Sequence, residues 1–209
     1  MSSLIETEVK FRIFEFEKLG KEGKVRFNFR KLLGIEYEAD IFSELCFCIL
    51  TAGFSATKAV KIQSEIGIDG FFNLDEAELR DRLKSLGYRF PDRAKRIVKA
   101  REKIEQILKL IKSSKDSKQI RQELYDKNSK LKVEGLGPKE ASHFLRNTGR
   151  LDVAIVDRHI RRFLDLNKIG CKNYFSAEKA LEEIAKDLKI SLGELDLVIF
   201  YLMTGAVVK

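Results

Sequence analysis

The sequence predicts an all-α protein, and three observations support this fold class. Apolar residues recur at helical spacing through nearly the whole chain. Both prolines, Pro91 and Pro138, stand where a helix would begin, and there the missing N–H of proline costs nothing. Alternation with a period of two residues, which would indicate strands, is found only briefly near Leu151 to Val156. The 209 residues allow one helical domain or two small ones, with about ten to eleven helices.

Glycines and capping residues divide the N-terminal half. The stretch DIFSELCFCILT is apolar nearly all round, which predicts a buried helix. The segments of this half are a helix over residues 3–19 followed by Gly20, a basic aromatic segment over 21–33, the buried helix from Asp40 to Thr51, a helix capped by Ser55, and one that opens with the capping box of Asp75 and Glu78 and ends at Gly87.

Helices also fill the C-terminal half, joined by short polar links. Its predicted segments are a helix from Pro91 to about Lys112, a helix over 118–127, a glycine turn at 135–137 with a helix behind it, a helix after Asp157, a helix behind Ser176, and a last helix opened by Ser191 and Glu194.

Composition limits the classes of function. Lys and Arg number 40 against 32 Asp and Glu, and the resulting formal charge of +8 favours a polyanionic partner. No apolar run reaches the roughly 18 residues of a membrane span, and the N-terminus lacks a signal-peptide core, so we expect an intracellular protein without a membrane partner. Three cysteines and two histidines give no metal-ligand spacing, no disulfide framework and no basis for a Ser-His-Asp triad.

The segment GLGPKEASHFLRNTG contains a tight turn followed by a helix. Gly135 and Gly137 flank one apolar residue, and Pro138 fixes the first turn of the next helix. Backbone N–H groups of such a corner point outward beside the positive end of the helix dipole, and they can bind a DNA phosphate. An ordinary corner between two helices, without a ligand, has the same composition.

Two polar residues near this turn are candidates for chemistry. Lys139 is the second residue of the predicted helix, where a cation is disfavoured, so it either binds phosphate or is a nucleophilic amine with a lowered pKa. Asp157 stands between an apolar run and three arginines. It is either a helix N-cap or a carboxylate that faces Lys139 across a cleft, and the local sequence favours neither.

These residues resemble a known family. GLGPKEASHFLRNTG followed by AIVDRHIRRFL is similar to the helix-hairpin-helix DNA glycosylase superfamily, and FSELCFCILTAGFSA, YRFPDRAKRIVKAR and LDLVIFYLMTGAVVK resemble its archaeal-type branch of 8-oxoguanine DNA glycosylase/AP lyases. The resemblance implies a single glycosylase unit over residues 1–209 with an active-site cleft between two helical subdomains. One would cover residues 38–149 and end in the helix-hairpin-helix motif, and the other would combine residues 1–37 and 150–209.

The same resemblance implies an activity and roles for individual residues. Lys139 would attack C1′ of a flipped 8-oxoguanine nucleotide, Asp157 would assist departure of the base, and strand cleavage by β-elimination would follow. Phe90 and Phe200 would stack on the base, and Lys209 would help to separate 8-oxoguanine from guanine. The partner would be double-stranded DNA containing 8-oxoguanine, bound by a monomer, and the chemistry needs no metal or organic cofactor.

Two positions depart from the pattern of that branch, and two alternatives remain. Gly53 stands where members often carry asparagine, and Phe200 where they often carry tryptophan. One alternative is a glycosylase for another damaged base. Relatives of that kind often hold an iron–sulfur cluster on four cysteines, whereas only Cys171 lies in the corresponding region here. The other alternative is a non-catalytic helix-hairpin-helix module that binds DNA.

Overall fold

A computed structural model describes residues 3–209, with side chains from Ile5 onward, and it confirms the all-α class. Over these residues the chain forms twelve helices and one two-stranded sheet. Their bounds are α1 Ser3–Glu22, β1 Lys24–Phe29, α2 Arg30–Leu33, β2 Ile35–Asp40, α3 Ile41–Thr51, α4 Ala56–Asn73, α5 Glu76–Ser85, α6 Arg93–Arg101, α7 Ile104–Ile111, α8 Ser117–Tyr125, α9 Pro138–Asn147, α10 Arg158–Leu166, α11 Tyr174–Leu188 and α12 Leu192–Thr204.

The β-hairpin is an element that the sequence pattern had not indicated. Strands β1 and β2 pair antiparallel, and along β1 the side chains of Val25, Phe27 and Phe29 are buried in alternation with exposed ones. This alternation has the period of two residues that a half-buried strand requires. The sequence pattern had indicated such alternation only near Leu151–Val156. This expectation was wrong, because β1 alternates and Leu151–Val156 is a turn followed by irregular backbone.

Most of the predicted helix starts are confirmed by their capping bonds. The side chains of Asp40, Ser55, Asp75 and Ser191 each accept a hydrogen bond from the backbone N–H three residues later. Three bounds differ from the predictions. The first helix continues past Gly20, the predicted helix from Pro91 to Lys112 is divided into α6 and α7, and α11 is capped by Asn173 rather than by Ser176.

Gly20 shows why a glycine can stand inside a helix. A Cβ atom at this position would lie 2.1 Å from the carbonyl oxygen of Thr148, just beyond the end of α9. Gly149, the residue after Thr148, also approaches α1 closely, since a Cβ there would lie 3.1 Å from the Cα of Glu17. Both glycines therefore serve close packing of α1 against the end of α9.

The buried apolar residues form two cores. The larger core includes residues of α1, the β-hairpin and helices α3 to α9, whereas the smaller one lies among α10, α11 and one face of α12. Helix α12 contributes to both, with Val198 in the larger core and Ile199 in the smaller one. The division into residues 38–149 and residues 1–37 plus 150–209 stays a prediction. Within residues 3–209, no helix combines the length and apolarity that a membrane span demands.

Candidate active site

The turn between α8 and α9 is closed by backbone hydrogen bonds. Val133 N–H donates to the carbonyl of Leu124 at 2.9 Å, and Leu136 N–H donates to the carbonyl of Val133 at 3.2 Å. Gly135 has a φ of +93°, in the left-handed region, and a Cβ there would lie 2.9 Å from Nη1 of Arg96. The left-handed backbone conformation therefore selects glycine at position 135, and the flexible side chain of Arg96 lies against the turn.

The two glycine N–H groups of this turn differ in their present partners. Gly137 N–H donates to Oε2 of Glu140 at 3.3 Å, which satisfies one free donor at the start of α9. In the part of the chain that the structure describes, no group accepts from Gly135 N–H. An anion at this corner could therefore take the Gly135 donor directly and would compete with Glu140 for Gly137.

Lys139 is the second residue of α9, as predicted. Its side chain is 33% exposed, and its Nζ lies 3.4 Å from Oε1 of Glu140. One helical turn further on, His143 is buried with its ring edge-on to Phe47. Burial keeps the pKa of His143 well below its usual value, and the positive charges of Arg146 and Lys139 lower this pKa further. Helix α9 is half-buried over residues 138–140 and buried over residues 141–147, so Lys139 lies at the end of the helix that reaches solvent.

Asp157 is the N-cap of α10, so the capping interpretation is confirmed. Its Oδ1 accepts hydrogen bonds from His159 N–H at 2.8 Å and Ile160 N–H at 2.9 Å. Over residues 3–209, no hydrogen bond involves the second carboxylate oxygen, Oδ2. One oxygen thus fixes the side chain, and the other is left for a different partner.

Buried side chains hold the segment that leads to Asp157. Ala154 N–H donates to Glu178 at 3.2 Å, and Ile155 N–H donates to Oδ2 of Asp196 at 3.2 Å. Burial raises the pKa of Asp196 to about 6. The positive charge of Arg146 lowers this pKa, whereas the negative charge of Asp157 raises it. Asp157 is therefore close enough to Asp196 for the two carboxylates to interact.

Lys209 lies in a different environment from Lys139. Its side chain is fully buried, and Nζ donates to Oε2 of Glu44 at 2.6 Å and to Oε1 of Gln63 at 2.7 Å. The ammonium also lies 4.1 Å and 4.2 Å from the ring centroids of Phe27 and Phe47. Burial lowers the pKa of Lys209 to about 8, and the ion pair with Glu44 opposes this shift.

The two predicted stacking residues lie against different parts of the molecule. Phe200 is half-buried, with its ring edge-on to His159 at 5.3 Å between centroids, which places it beside the start of α10. Phe90 lies 4.7 Å below the guanidinium of Arg93, and Arg93 donates to the carbonyl of Ile49 near the end of α3. Of the two rings, Phe200 is the one whose described contacts lead to Asp157.

The arginines around the site separate into structural and exposed ones. Arg146 is buried and ion-paired, and Arg150 donates to the carbonyls of Ile111 and Ser113, so neither presents a free guanidinium to a ligand. The exposed arginines here are Arg158, Arg161 and Arg162. A cavity of about 800 Å³ lies between α8 and α11 and includes none of the predicted site residues. Within residues 3–209, no group of three or more His, Cys, Asp or Glu residues could hold a metal ion.

A family model described as 8-oxoguanine DNA glycosylase matches residues 10–190. The chain belongs to the 8-oxoguanine DNA glycosylase family. Its predicted resemblance to that family is therefore confirmed. The matched range includes the turn at Gly135–Gly137, Lys139 and Asp157, whereas Phe200 and Lys209 lie beyond it.

Curated proteins and solved structures of this family match the chain over most of its length. An 8-oxoguanine DNA glycosylase/AP lyase of Aquifex aeolicus is 50% identical and covers 98% of this chain and 94% of its own length. The crystal structure of the Methanocaldococcus jannaschii 8-oxoguanine glycosylase/lyase in complex with a 15mer DNA containing 8-oxoguanine has a TM-score of 0.79 at 39% identity, over 98% of this chain and 93% of that one. The 8-oxoguanine DNA glycosylase of Thermotoga maritima has a TM-score of 0.81 at 36% identity, over 98% and 92%.

Sequence reasoning missed the buried polar residues that hold the candidate site. Glu44 and Asp196 were not singled out, although each binds a positively charged side chain in the interior. A signal was present in both cases, because Glu44 is the lone acid of the apolar helix α3, and Asp196 is followed by an apolar run in LDLVIFYLM. A carboxylate in such a helix must find a charged or hydrogen-bonding partner when the helix is buried.

Proposed function

We propose that this chain is a base-excision DNA repair enzyme that removes 8-oxoguanine from double-stranded DNA and then cleaves the strand, that is, an 8-oxoguanine DNA glycosylase/AP lyase. One observation carries this proposal. A partly exposed lysine at the start of α9 and an aspartate at the start of α10 lie in a chain that matches such enzymes over nearly all of its length.

Lys139 is the nucleophile of the proposed reaction. The lone pair of its neutral amine forms a bond to C1′ of the nucleotide while the bond from C1′ to the base nitrogen breaks, and the departing base takes up a proton. Opening of the sugar ring then gives an imine between C1′ and Nζ. Loss of a proton from C2′ breaks the C3′–O bond and cuts the strand. These steps need no metal and no organic cofactor.

Asp157 assists the departure of the base in this proposal. Its Oδ1 is fixed by two backbone N–H groups of α10, and this fixed geometry presents Oδ2 in one direction. A carboxylate held in that way stabilises the positive charge that develops on the sugar as the base leaves. The role in capping and the role in catalysis therefore belong to different oxygen atoms of one side chain.

Phe90, Phe200 and Lys209 are the proposed base-recognition residues. Enzymes that act on a base in duplex DNA turn it out of the stack and hold it between aromatic or apolar side chains. The ammonium of Lys209 is already bound by Glu44 and Gln63, so we infer that Lys209 acts through the position of its main chain rather than through a free ammonium. The main-chain oxygen of Lys209 is close enough to His143 to favour protonation of its ring.

In this proposal, the turn between the two helices of the motif binds the DNA backbone. Gly135 and Gly137 supply N–H donors for one phosphate, and Arg96 lies against the same turn. We further propose that the chain acts as an intracellular monomer with its cleft between the two predicted subdomains. Sedimentation of the protein bound to a short duplex checks the stoichiometry, for which one chain per lesion is expected.

Borohydride trapping tests the proposed activity, because an imine between Lys139 and the sugar is reducible to a stable covalent bond. We expect the protein to be trapped on a duplex containing 8-oxoguanine. The Lys139→Gln variant should bind the duplex without being trapped, and Lys130→Gln, which removes an exposed lysine before the turn, should be trapped like the wild type.

Trapping on duplexes that contain other damaged bases tests the alternatives to the proposed function. Preferential trapping on a duplex with a different lesion would assign the enzyme to that base. Binding to all duplexes with no trapping on any of them would favour a non-catalytic DNA-binding module. Continued strand cleavage by Lys139→Gln would remove Lys139 from the mechanism.

A further inference from the structure

A chain of buried polar contacts begins at Lys209. Its Nζ donates to Oε2 of Glu44 at 2.6 Å, and the other oxygen of Glu44, Oε1, accepts from Nδ2 of Asn147 at 2.6 Å. All three residues are buried. Glu44 on α3 thus joins Lys209, which follows α12, to the last residue of α9, the helix whose first turn carries Lys139.

The same chain continues to the segment before Asp157. Arg146 donates through Nη2 to the side-chain oxygen of Asn147 at 2.9 Å and through Nη1 to Oδ2 of Asp196 at 2.8 Å. Oδ2 of Asp196 also accepts from Ile155 N–H at 3.2 Å, and the carbonyl of Ile155 accepts from Asp157 N–H at 2.8 Å. Every link shares a residue with the next, so the contacts run without a break from Lys209 to Asp157.

A second buried ion pair holds the same segment without reaching Lys209. Glu178 pairs with Arg121 at 2.5 Å and accepts from Ala154 N–H at 3.2 Å. Tyr174 donates to the carbonyl of Ala154 at 2.7 Å. None of the hydrogen bonds among residues 3–209 connects this pair to Glu44 or Asn147. Among residues 3–209, this segment therefore has two anchors, of which one extends to Lys209.

We propose that Glu44, Asn147, Arg146 and Asp196 are positioning residues that couple the placement of Lys209 to the placement of Asp157. This inference rests on the proposed function, because it concerns how base recognition and base removal are set together. Buried charges are stable only where each has its partners, so a change at one end leaves a group that must find another donor or acceptor. Loss of the Lys209 ammonium would leave Oε2 of Glu44 with only the longer bond from Nε2 of Gln63, at 3.2 Å, and would disturb Asn147, Arg146 and then Asp196 in turn.

A double-mutant cycle on the full-length protein measures this coupling. The cycle compares single-turnover excision of 8-oxoguanine by the wild type, Lys209→Met, Asp196→Asn and the double variant. Asparagine keeps an oxygen that can accept from Ile155 and Arg146, and it removes the charge. We expect Asp196→Asn to slow excision about tenfold with little change in DNA affinity. In the Asp196→Asn background, the factor by which Lys209→Met slows excision should be smaller by about fivefold or more.

Glu178→Gln is the matched control, since it alters the second anchor of the same segment. The factors by which Glu178→Gln and Lys209→Met each slow excision should multiply in the double variant, within about twofold. If Asp196 had a purely structural role, Asp196→Asn and Glu178→Gln would show the same coupling to Lys209→Met. Equal coupling in the two cycles therefore overturns the inference. If Asp196→Asn fails to fold, Asn147→Ser breaks the chain at a neutral member and must show the same dependence on Lys209.

The pH profile of excision gives a second readout. The groups that face Asp196 are the guanidinium of Arg146, the carboxylate of Asp157 and the N–H of Ile155, and the pKa of Asp196 is raised to about 6. Wild-type excision should therefore fall as the pH drops through about 6, and this inflection should be absent in Asp196→Asn. An unchanged profile contradicts the inference. A wild type that excises no 8-oxoguanine contradicts the proposed function instead.

Discussion

Two lysines of this protein have opposite environments. Lys139 begins a helix, is 33% exposed and has a carboxylate only at 3.4 Å, whereas Lys209 is fully buried with Glu44 at 2.6 Å and aromatic rings around it. The first environment is built by residues adjacent in sequence, the Gly-Leu-Gly-Pro turn and the start of α9. The second is built by residues that lie 165 and 146 positions away, Glu44 and Gln63.

The difference indicates that the two regions have separate roles. A nucleophile must reach its substrate, so Lys139 stands where a helix start meets solvent and its ammonium is only weakly held. A residue that defines the shape of a pocket must not move, and Lys209 is fixed by two short hydrogen bonds in an apolar surrounding. Variants of the first region should therefore change catalysis with little change in stability, whereas variants of the second should lower stability in addition to their effect on excision.

The largest effect is expected at Asp157, in the first region. Asp157→Asn keeps an Oδ1 that can accept from His159 and Ile160, since asparagine is as good an N-cap as aspartate. It removes the charge that would stabilise the sugar cation, so single-turnover excision should fall by about 10²- to 10⁴-fold at unchanged thermal stability.

The alanine variant at the same position isolates the cap. Asp157→Ala should lose excision as Asp157→Asn does, and in addition about 1 kcal/mol of the free energy of unfolding. Near-normal excision by the asparagine variant would reduce Asp157 to a capping residue and remove it from the chemistry.

Stability is the quantity that should change in the second region. Glu44→Gln leaves the Lys209 ammonium without its anion, and Lys209→Met leaves the carboxylate without its cation. Each single variant should lower the free energy of unfolding by about 3–5 kcal/mol, because a lone buried charge is unfavourable. The double variant should be more stable than either single one, which urea titration at one pH would measure. Single variants as stable as the wild type would show that this pair does not hold the second region.

The sequence predicted the first region better than the second, for a physical reason. Helix caps, the proline at a helix start and the glycine turn act between residues a few positions apart, so Asp40, Asp75 and Pro138 were placed correctly from local spacing alone. For Asp157 the local sequence offered the N-cap as one of two roles, and the structure shows the cap. The β-hairpin was missed although KVRFNF alternates, because its basic residues and its neighbouring helices obscured a strand of only six residues.

The buried network could not be assembled from the sequence. The partners of Glu44 and Arg146 are set by how α3, α9 and α12 pack, and no local pattern specifies which charged side chains meet in an interior. Arg146 illustrates the limit, since no local pattern indicates that this arginine is buried against Asp196 on a different helix. A lone charge in an apolar helix predicts that a partner exists, and tertiary structure decides its identity.

His143 reports on both regions, because it lies one turn from Lys139 and beside the main chain of Lys209. Burial holds its pKa well below the usual 6.5, so the folded protein keeps the ring neutral while the unfolded chain binds a proton. The unfolded state therefore gains protons as the pH falls below about 6.5, and folding stability is lost in that range. Relative to His143→Gln, the wild type should lose up to about 1.4 kcal/mol of unfolding free energy per pH unit between pH 6 and 5. Parallel stability curves for the two proteins would show that the ring titrates alike in both states.

The smallest effect is expected at Gly53, which belongs to neither region. Its φ is +65°, and a Cβ there would meet nothing within 4 Å, so the backbone conformation alone selects the residue. Asparagine enters the left-handed region more easily than other side chains, which explains how glycine and asparagine can exchange at one position. Gly53→Asn should change the unfolding free energy by only a few tenths of a kcal/mol, whereas Gly53→Ala should lose about 1 kcal/mol or more. Equal losses in urea titration would contradict this explanation of the exchange. A change in excision by Gly53→Asn alone would reveal a contact that the asparagine side chain makes with DNA.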